Sequence, residues 1–362
     1  MIDTVKVYTQ ITKELYQKIE FCQNHKICYN KSTGQLFYDI TSDNLEGSYS
    51  TSLFVKVGDG AKYGFINSYC IEVEGSLHKM LQGQNAYNGY YNLVDVALGM
   101  IKLVQNGYDV VLPGIKHWFL QRCDISKCFD LEKQDNVVKY LDCLSYLSYP
   151  RRNVLPYNYT KGTYIAGTST TLKIYDKLLE FMKHDLPKVK KLDFDINKHM
   201  NTIQGFVRFE CEIKKKKIET LRKSYRNHAN NRKFLDNNHV RLYRINYCDL
   251  EKIWVDEFLK LLKLPENEEK RKMLGNREDV KNYLDENCVK RGQAARLYSF
   301  YIQLKLEGYD KVKNIYSSSA FYRNISELKE LGINWTSTEF AITEVKNENY
   351  YYFNPFTMKE VA

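Results

Sequence analysis

The chain has 362 residues, 43% apolar and 27% charged, enough for two or three domains of ordinary folded composition. That excludes a disordered or collagen-like chain. The longest nearly uncharged apolar stretch, Val94 to Val104, still holds Asp95 and Lys102 and is too short to cross a bilayer. Lys and Arg number 54 against 44 Asp and Glu, a net charge of +10 that suits a polyanionic partner without requiring one.

The first residues, Met1 to Gln10, alternate apolar with polar and read as a strand, not a signal peptide. Nine cysteines without a Cys-x-x-Cys pair fit reduced thiols in a cytoplasm. Strand-like alternation recurs at Leu36 to Ile40, Leu53 to Val57, Ile71 and Val73, Phe119 to Phe129, Thr170 to Tyr175 and Phe206 to Ile213. Helical patterns separate these strands, from Asn92 to Gln105 with Gly107 as the stop, and from Asn136 to Leu147 ahead of Pro150. The uneven order predicts an α+β domain with a largely antiparallel sheet. A basic segment follows: residues 211–245 carry eleven Lys and Arg against three acids, with Asn227, His228, Asn230 and Asn231 interleaved. Its Lys214, Lys215, Lys216, Lys217, Arg222, Lys223 and Arg226 are candidate DNA contacts, with a solvated helix face as the alternative.

Beyond residue 250 the pattern turns helical: Leu250 to Leu262, Arg277 to Asn287, Ala294 to Leu306, Tyr309 to Ile315, and a helix ending at Leu331 and Gly332. Ser317, Ser318 or Ser319 can cap that last helix. Two strands, Glu339 to Val345 and Tyr350 to Phe353, then complete the order of a winged helix, in which Tyr322 and Arg323 would face DNA. The expected division is a catalytic domain over 1–235 and a DNA-binding domain over 236–362.

Residues two apart on a strand share a face. Glu72 and Glu74 lie opposite Ile71 and Val73. Arg122, Asp124 and Ser126 lie opposite Cys123 and Ile125. Arg208, Glu210 and Glu212 lie opposite Val207, Phe209 and Cys211, and Lys173, Tyr175 and Lys177 lie opposite Leu172 and Ile174. Strands disfavour carboxylates, so acids on three of them ask for a reason. Glu72, Asp124 and Glu210, with Glu212 in reserve, could converge on Mg²⁺ or Mn²⁺ beside a tyrosine nucleophile. The alternative is one wet sheet face whose charges pair among themselves, and periodicity by itself favours it. The seven histidines form no zinc-binding pair, and neither a phosphate-binding P-loop nor a Gly-x-Ser-x-Gly elbow is present.

The ordered words of the sequence resemble the gene II replication initiators of filamentous phages and the plasmid proteins grouped with them. They run from Met1-Ile2-Asp3 through Ile71-Glu72-Val73, Lys79-Met80-Leu81-Gln82-Gly83-Gln84-Asn85 and Arg122-Cys123-Asp124. They continue with Thr171-Leu172-Lys173-Ile174-Tyr175-Asp176-Lys177 and Val207-Arg208-Phe209-Glu210-Cys211-Glu212, and end near Phe321-Tyr322-Arg323. The resemblance implies a divergent HUH-like nuclease that starts and ends rolling-circle replication. It implies nicking of one origin strand, a 5′-phosphotyrosine intermediate, Tyr175 as nucleophile and Lys177 as its accompanying lysine. It also implies Mg²⁺ or Mn²⁺, origin DNA, a host helicase and polymerase, and a bacterial cytoplasm; Arg122 or Arg208 could hold a neighbouring phosphate as a bidentate donor, and an oligomer could form on DNA. The family's best-known members carry histidine where this chain has Gln84, so a non-enzymatic origin-binding protein is the alternative. A conjugative relaxase is a third reading.

Overall fold

The computed structural model describes residues 1–46, 52–144, 162–189, 194–228, 239–262 and 277–333 except 291, 308 and 332, together with 149, 151–152 and 154–157. Its first part is built on ten strands: β1 Ile2–Ile11, β2 Asn24–Tyr29, β3 Leu36–Glu46, β4 Ser52–Asp59, β5 Tyr69–Gly75, β6 Phe119–Asp130, β7 Leu155–Pro156, β8 Gly162–Ile165, β9 Thr170–Asp176 and β10 Phe206–Lys214. They form one sheet in the order β2-β3-β4-β5-β1-β6-β10-β9-β8-β7, and every neighbouring pair is antiparallel. The mixed, largely antiparallel architecture expected from the sequence is therefore present.

The period-2 pattern sorts the strands into two faces. Val5, Val7, Val55, Ile71, Val73, Cys123, Ile125, Phe209 and Cys211 are buried on one of them. That core also takes in residues of the helices Lys13–Cys22, Leu93–Tyr108, Gln134–Leu144 and Tyr247–Leu262. In the last of these, Trp254 and Phe258 meet Phe209 at ring distances of 6.2 and 5.2 Å. The helix thus belongs to the sheet's core although it follows residue 236 in the chain. A second core begins at Val280 and joins the helices Arg277–Asn287, Gln293–Glu307, Tyr309–Ile315 and Ser318–Glu330. Ser317 caps the last of these by accepting from Ala320 N at 3.3 Å. The expected hairpin at 339–353 lies outside the described residues.

One helix stop differs from expectation. The helix Leu93–Tyr108 runs through Gly107 and ends at Asp109, which takes the left-handed conformation with φ 48°. Gly107 serves packing instead, since a Cβ there would lie 2.4 Å from the Leu45 side chain. The start is as read, with Asn92 Oδ1 accepting from Val94 N and Asp95 N at 3.0 and 3.4 Å.

Candidate active site on the polar face

Register places the polar residues of five strands on the other face of the sheet. Tyr175 stands across from Arg208, Glu210 between Lys173 and Ser126, and Glu212 between Thr171 and Asp124. Arg122 pairs with Lys6 and Lys6 with Glu74, and Tyr8 pairs with Glu72. The charges on this face pair with one another, as its periodicity favours.

Tyr175, near the end of β9, is 3% exposed. Its hydroxyl donates to Glu210 Oε2 at 2.9 Å, and its ring stacks on Tyr157 with centroids 5.0 Å apart and planes 18° apart. Gly162 sits across from it on β8, where a Cβ would lie 2.2 Å from the Ile174 carbonyl oxygen. Burial pushes the phenol well above its ordinary pKa, and the Glu210 charge adds to the rise. Glu210 goes the other way. Burial raises it most, but Lys173 Nζ, 2.6 Å from Oε1, and Arg208, 3.7 Å from Oε2, together hold the carboxyl below its usual range. The result is a neutral phenol donating to an ionised carboxylate.

Below this pair lies a buried network that the sequence reading did not assemble. Arg208 Nη2 donates to Asp3 Oδ2 at 2.7 Å, and Nη1 donates to the Asn85 carbonyl. Asn85 Nδ2 donates to Asp3 Oδ1, and Asn85 Oδ1 accepts from Lys177 Nζ, both at 2.9 Å. A β-bulge between Ile2 and Val5 breaks the pairing around Asp3, which turns toward this network. The one available signal was an acid set in an apolar strand. Lys177 follows β9 as the first residue of the helix Lys177–Glu180, and its ammonium is also held by Glu180. It therefore braces the network, while the cations that act on the Tyr175–Glu210 pair are Arg208 and Lys173.

Gln84 belongs to the same wall. Its Oε1 accepts from Ala86 N at 2.7 Å, and its Nε2 donates to Gln82 Oε1 and to the Tyr87 carbonyl at 3.0 Å each. It staples the turn that presents Asn85, a role an amide fills without metal or proton transfer.

The three expected metal ligands are not brought together. Glu72 lies on β5, three strands from Glu210, or roughly 14 Å by strand spacing. It is engaged by Lys62 and by Lys6 at 3.2 Å. Asp124 accepts two bonds from Arg122, at 2.8 and 2.6 Å. Burial, with Glu210 nearby, nonetheless holds its carboxyl up to about 7. Glu212, the reserve ligand, is 3.7 Å from Arg122 Nε. Among the described residues no three His, Cys, Asp or Glu side chains cluster as a metal site. The donors as placed do not fit a Mg²⁺ or Mn²⁺ centre built from Glu72, Asp124 and Glu210.

The expected DNA contacts also separate. Arg208 is fully buried on Asp3, and Arg122 is committed to Asp124 and Glu74, so both serve carboxylates in this structure. Lys214 donates to the Gly167 carbonyl at 3.0 Å, Lys215 is 4.0 Å from Glu219, and Lys217 is 3.9 Å from Glu257. Lys216 is exposed. Arg222, Lys223 and Arg226 fall in the helix Lys215–His228, but their side chains lie outside the described residues. Tyr322 and Arg323 are exposed on Ser318–Glu330, with Arg323 Nε 3.8 Å from Glu327.

The chain thus carries a wide antiparallel sheet with one apolar face and one face of interlocked acids and bases around a tyrosine. The chain belongs to the family described as the N-terminal part of the replication-associated gene II protein, whose model matches residues 1–233. This is the gene II-type group that the sequence resembles. A solved structure described as a rolling circle replication initiator protein from Geobacillus stearothermophilus is 10% identical, with 73% of this chain and 98% of that chain covered, at a TM-score of 0.25. No curated protein matches the chain. No helix among the described residues is long and apolar enough to cross a membrane.

Proposed function

We propose that this replication-associated protein is a tyrosine-dependent nickase and strand-transferase that initiates and terminates rolling-circle replication on origin DNA. The observation that carries the reading is the hydrogen bond from Tyr175 to Glu210. A phenol of ordinary pKa near 10 attacks poorly at neutral pH unless its proton has somewhere to go as the new bond forms. Glu210 is ionised, already hydrogen-bonded, and kept charged by Lys173. As Tyr175 Oη bonds to phosphorus its proton passes to Glu210, and the bond from phosphorus to the 3′ oxygen breaks. The tyrosine keeps the 5′ phosphate, and the 3′ oxygen takes a proton from water to become the hydroxyl that a host polymerase extends behind a host helicase. The new ester resembles the phosphodiester it replaces, so the reverse reaction reseals the strand without a nucleotide cofactor.

Asp3, Arg208, Asn85 and Lys177 hold the floor beneath the pair and are positioning residues. The strand reaches the phenol by displacing the ring of Tyr157. The test is incubation with a supercoiled plasmid carrying the protein's own replication origin. Wild type is expected to give relaxed circles with covalently attached protein, and Tyr175→Phe to give none. Adducts formed by Tyr175→Phe would overturn the assignment.

A second reading is an origin-binding protein without chemistry. The observation favouring it is the burial of Tyr175 behind Tyr157. Specific retention of origin DNA with no relaxation by wild type would select it.

A further inference from the structure

Remote from Tyr175, a groove of about 1550 Å³ opens between the start of the helix Lys13–Cys22, the loop after β4 and the segment around Val111 to Gly114. This is larger than the ~300–1,000 Å³ typical of a small-molecule site. Tyr63, Phe65, Tyr69 and Phe119 line it, with His239. The rings are layered: Tyr63 lies on Tyr8 with centroids 3.9 Å apart and planes at 14°, and Phe65 lies on His239 at 4.9 Å and 18°. Among the described residues, Lys13, Lys18, Lys62, Lys215 and Arg241 line the groove with one acid, Glu14; Lys62 also pairs with Glu72, Lys215 lies 4.0 Å from Glu219, and Arg241 Nη1 donates to the Lys116 carbonyl at 2.5 Å. Lys62 Nζ stands 4.8 Å from the Tyr63 ring centre and the Arg241 guanidinium 5.3 Å from that of Phe119.

The loop that carries Phe65 is built rather than loose. Gly60 N donates to the Ser68 carbonyl at 2.8 Å, Phe65 N to the Gly60 carbonyl at 3.1 Å, and Ser68 Oγ to the Phe65 carbonyl at 2.9 Å. Asp59 caps the turn through Ala61 N at 2.9 Å. A Cβ at Gly60 would lie 2.8 Å from that of Phe65 and 2.9 Å from the Ser68 carbonyl oxygen, so the turn needs glycine there. At the tip, Ile66 is 81% exposed, an apolar side chain that folding does not bury. A preorganised loop loses little entropy on binding.

Rings in layers with cations beside them suit a strand of unpaired bases. Tyr63, Phe119 and His239 are buried under one another, so the half-buried Phe65 and Tyr69 are the rings a base can reach; such stacking takes any sequence, and the phosphates follow the cations. We infer that this groove is a single-stranded DNA subsite, in which bases stack beside Phe65 while Lys13, Lys215 and Arg241 take the flanking phosphates. The inference rests on the nicking reading for its substrate class and adds where the strand lies. Tyr8, at the groove, shares its sheet face with Lys6, Arg122 and Lys173, which lie between it and Tyr175. From Phe119 to Cys128, β6 spans roughly 30 Å at 3.4 Å per residue, so the strand would run several nucleotides beyond the cleaved bond.

The test is fluorescence anisotropy with a labelled dT20, an abasic 20-mer of equal charge and a 20-base-pair duplex. The expected result is at least tenfold tighter binding of dT20 than of either comparison. Phe65→Ala and the bulkier Phe65→Leu are both expected to lower dT20 affinity about tenfold and leave abasic affinity unchanged, the size of one base lost from one ring. Arg241→Gln is expected to weaken dT20 and the abasic strand alike. Equal binding of dT20 and abasic strand, equal binding of duplex, or full dT20 affinity in Phe65→Leu would overturn the inference. Covalent adducts of wild type on origin plasmid are scored separately. Adducts without base-dependent binding remove the groove alone, and base-dependent binding without adducts removes the nicking reading alone.

Discussion

The hydroxyl of Tyr175 donates to Glu210 Oε2 at 2.9 Å while Lys173 grips the other oxygen of the same carboxylate at 2.6 Å. Lys173, with Arg208, keeps the carboxylate charged, and in the proposed reaction that carboxylate would take the phenol's proton. Glu210→Gln removes that acceptor and should slow nicking by about 10²–10⁴-fold, the usual value of a positioned base. Burial raises the pKa of Glu210, but Lys173 and Arg208 together outweigh it and the net shift is downward. Single-turnover nicking by wild type should therefore hold steady as pH falls from 7 and drop only once pH is below the ordinary glutamate range. A rate unchanged by Glu210→Gln would remove its assigned role.

Tyr157 covers Tyr175, the proposed nucleophile, by a stacked contact of 5.0 Å. An aromatic pair of this kind is worth ~0.5–1.5 kcal/mol. Tyr157→Ala should accordingly raise the rate of adduct formation on a short single-stranded substrate by about two- to tenfold. Loss of adducts in Tyr157→Phe, with Tyr175→Phe active, would identify Tyr157 as the nucleophile instead.

Glu72 is held by Lys6 and Lys62, away from the Tyr175 pair. Glu72→Gln should lower the melting temperature, since it weakens a buried pair with two lysines, while single-turnover nicking by the folded protein stays within about threefold of wild type. A loss of a hundredfold or more in a folded Glu72→Gln protein would return it to the chemistry.

Glu257 ties the helix Tyr247–Leu262 to the sheet. It accepts from Tyr149 and Thr170 at 2.7 Å each and from Lys260 at 2.6 Å. Burial raises its pKa, yet these donors together bring it down to about 2 from 4.5. A lowered folded-state pKa means the stabilisation is complete above the unfolded value and is lost as pH falls from about 4.5 toward 2. Glu257→Gln should cost about 2–3 kcal/mol at pH 7, read as a lower melting temperature, and the gap to wild type should shrink by pH 3. A gap that stays constant with pH would contradict this.

Lys216 is exposed, whereas Lys217 leans on Glu257 at 3.9 Å. Lys216→Gln should weaken DNA binding evenly across sequences and lower the salt slope by about one. Lys217→Gln should lower the melting temperature more than the salt slope. Equal salt slopes for wild type and Lys216→Gln would place the DNA elsewhere.

The faces of the sheet were legible because strand periodicity is local: Ile71 against Glu72, or Phe209 against Glu210, follows from alternation alone. The place of Tyr175 near the end of a strand was legible from the same alternation, and its proposed role rests on the resemblance. Which acid meets which base was not, because it depends on strand order. Glu72 and Glu210 look alike in sequence but lie three strands apart. Asp3 and Asn85 escaped notice for the same reason, since a bulge and a glutamine-stapled turn bring them to Arg208. The groove beside Phe65 depends on contacts among five separate segments. No pattern within any one of them announces it.

The central claim is that the Tyr175 hydroxyl becomes the phosphorus-bound oxygen. Wild-type protein trapped on its origin plasmid, digested with nuclease and protease and analysed by mass spectrometry, tests it directly. The account predicts a nucleotide-bearing peptide that contains Tyr175, absent from Glu210→Gln at early times. A modified peptide containing any other tyrosine, or fully nicked plasmid with no modified peptide, would contradict it.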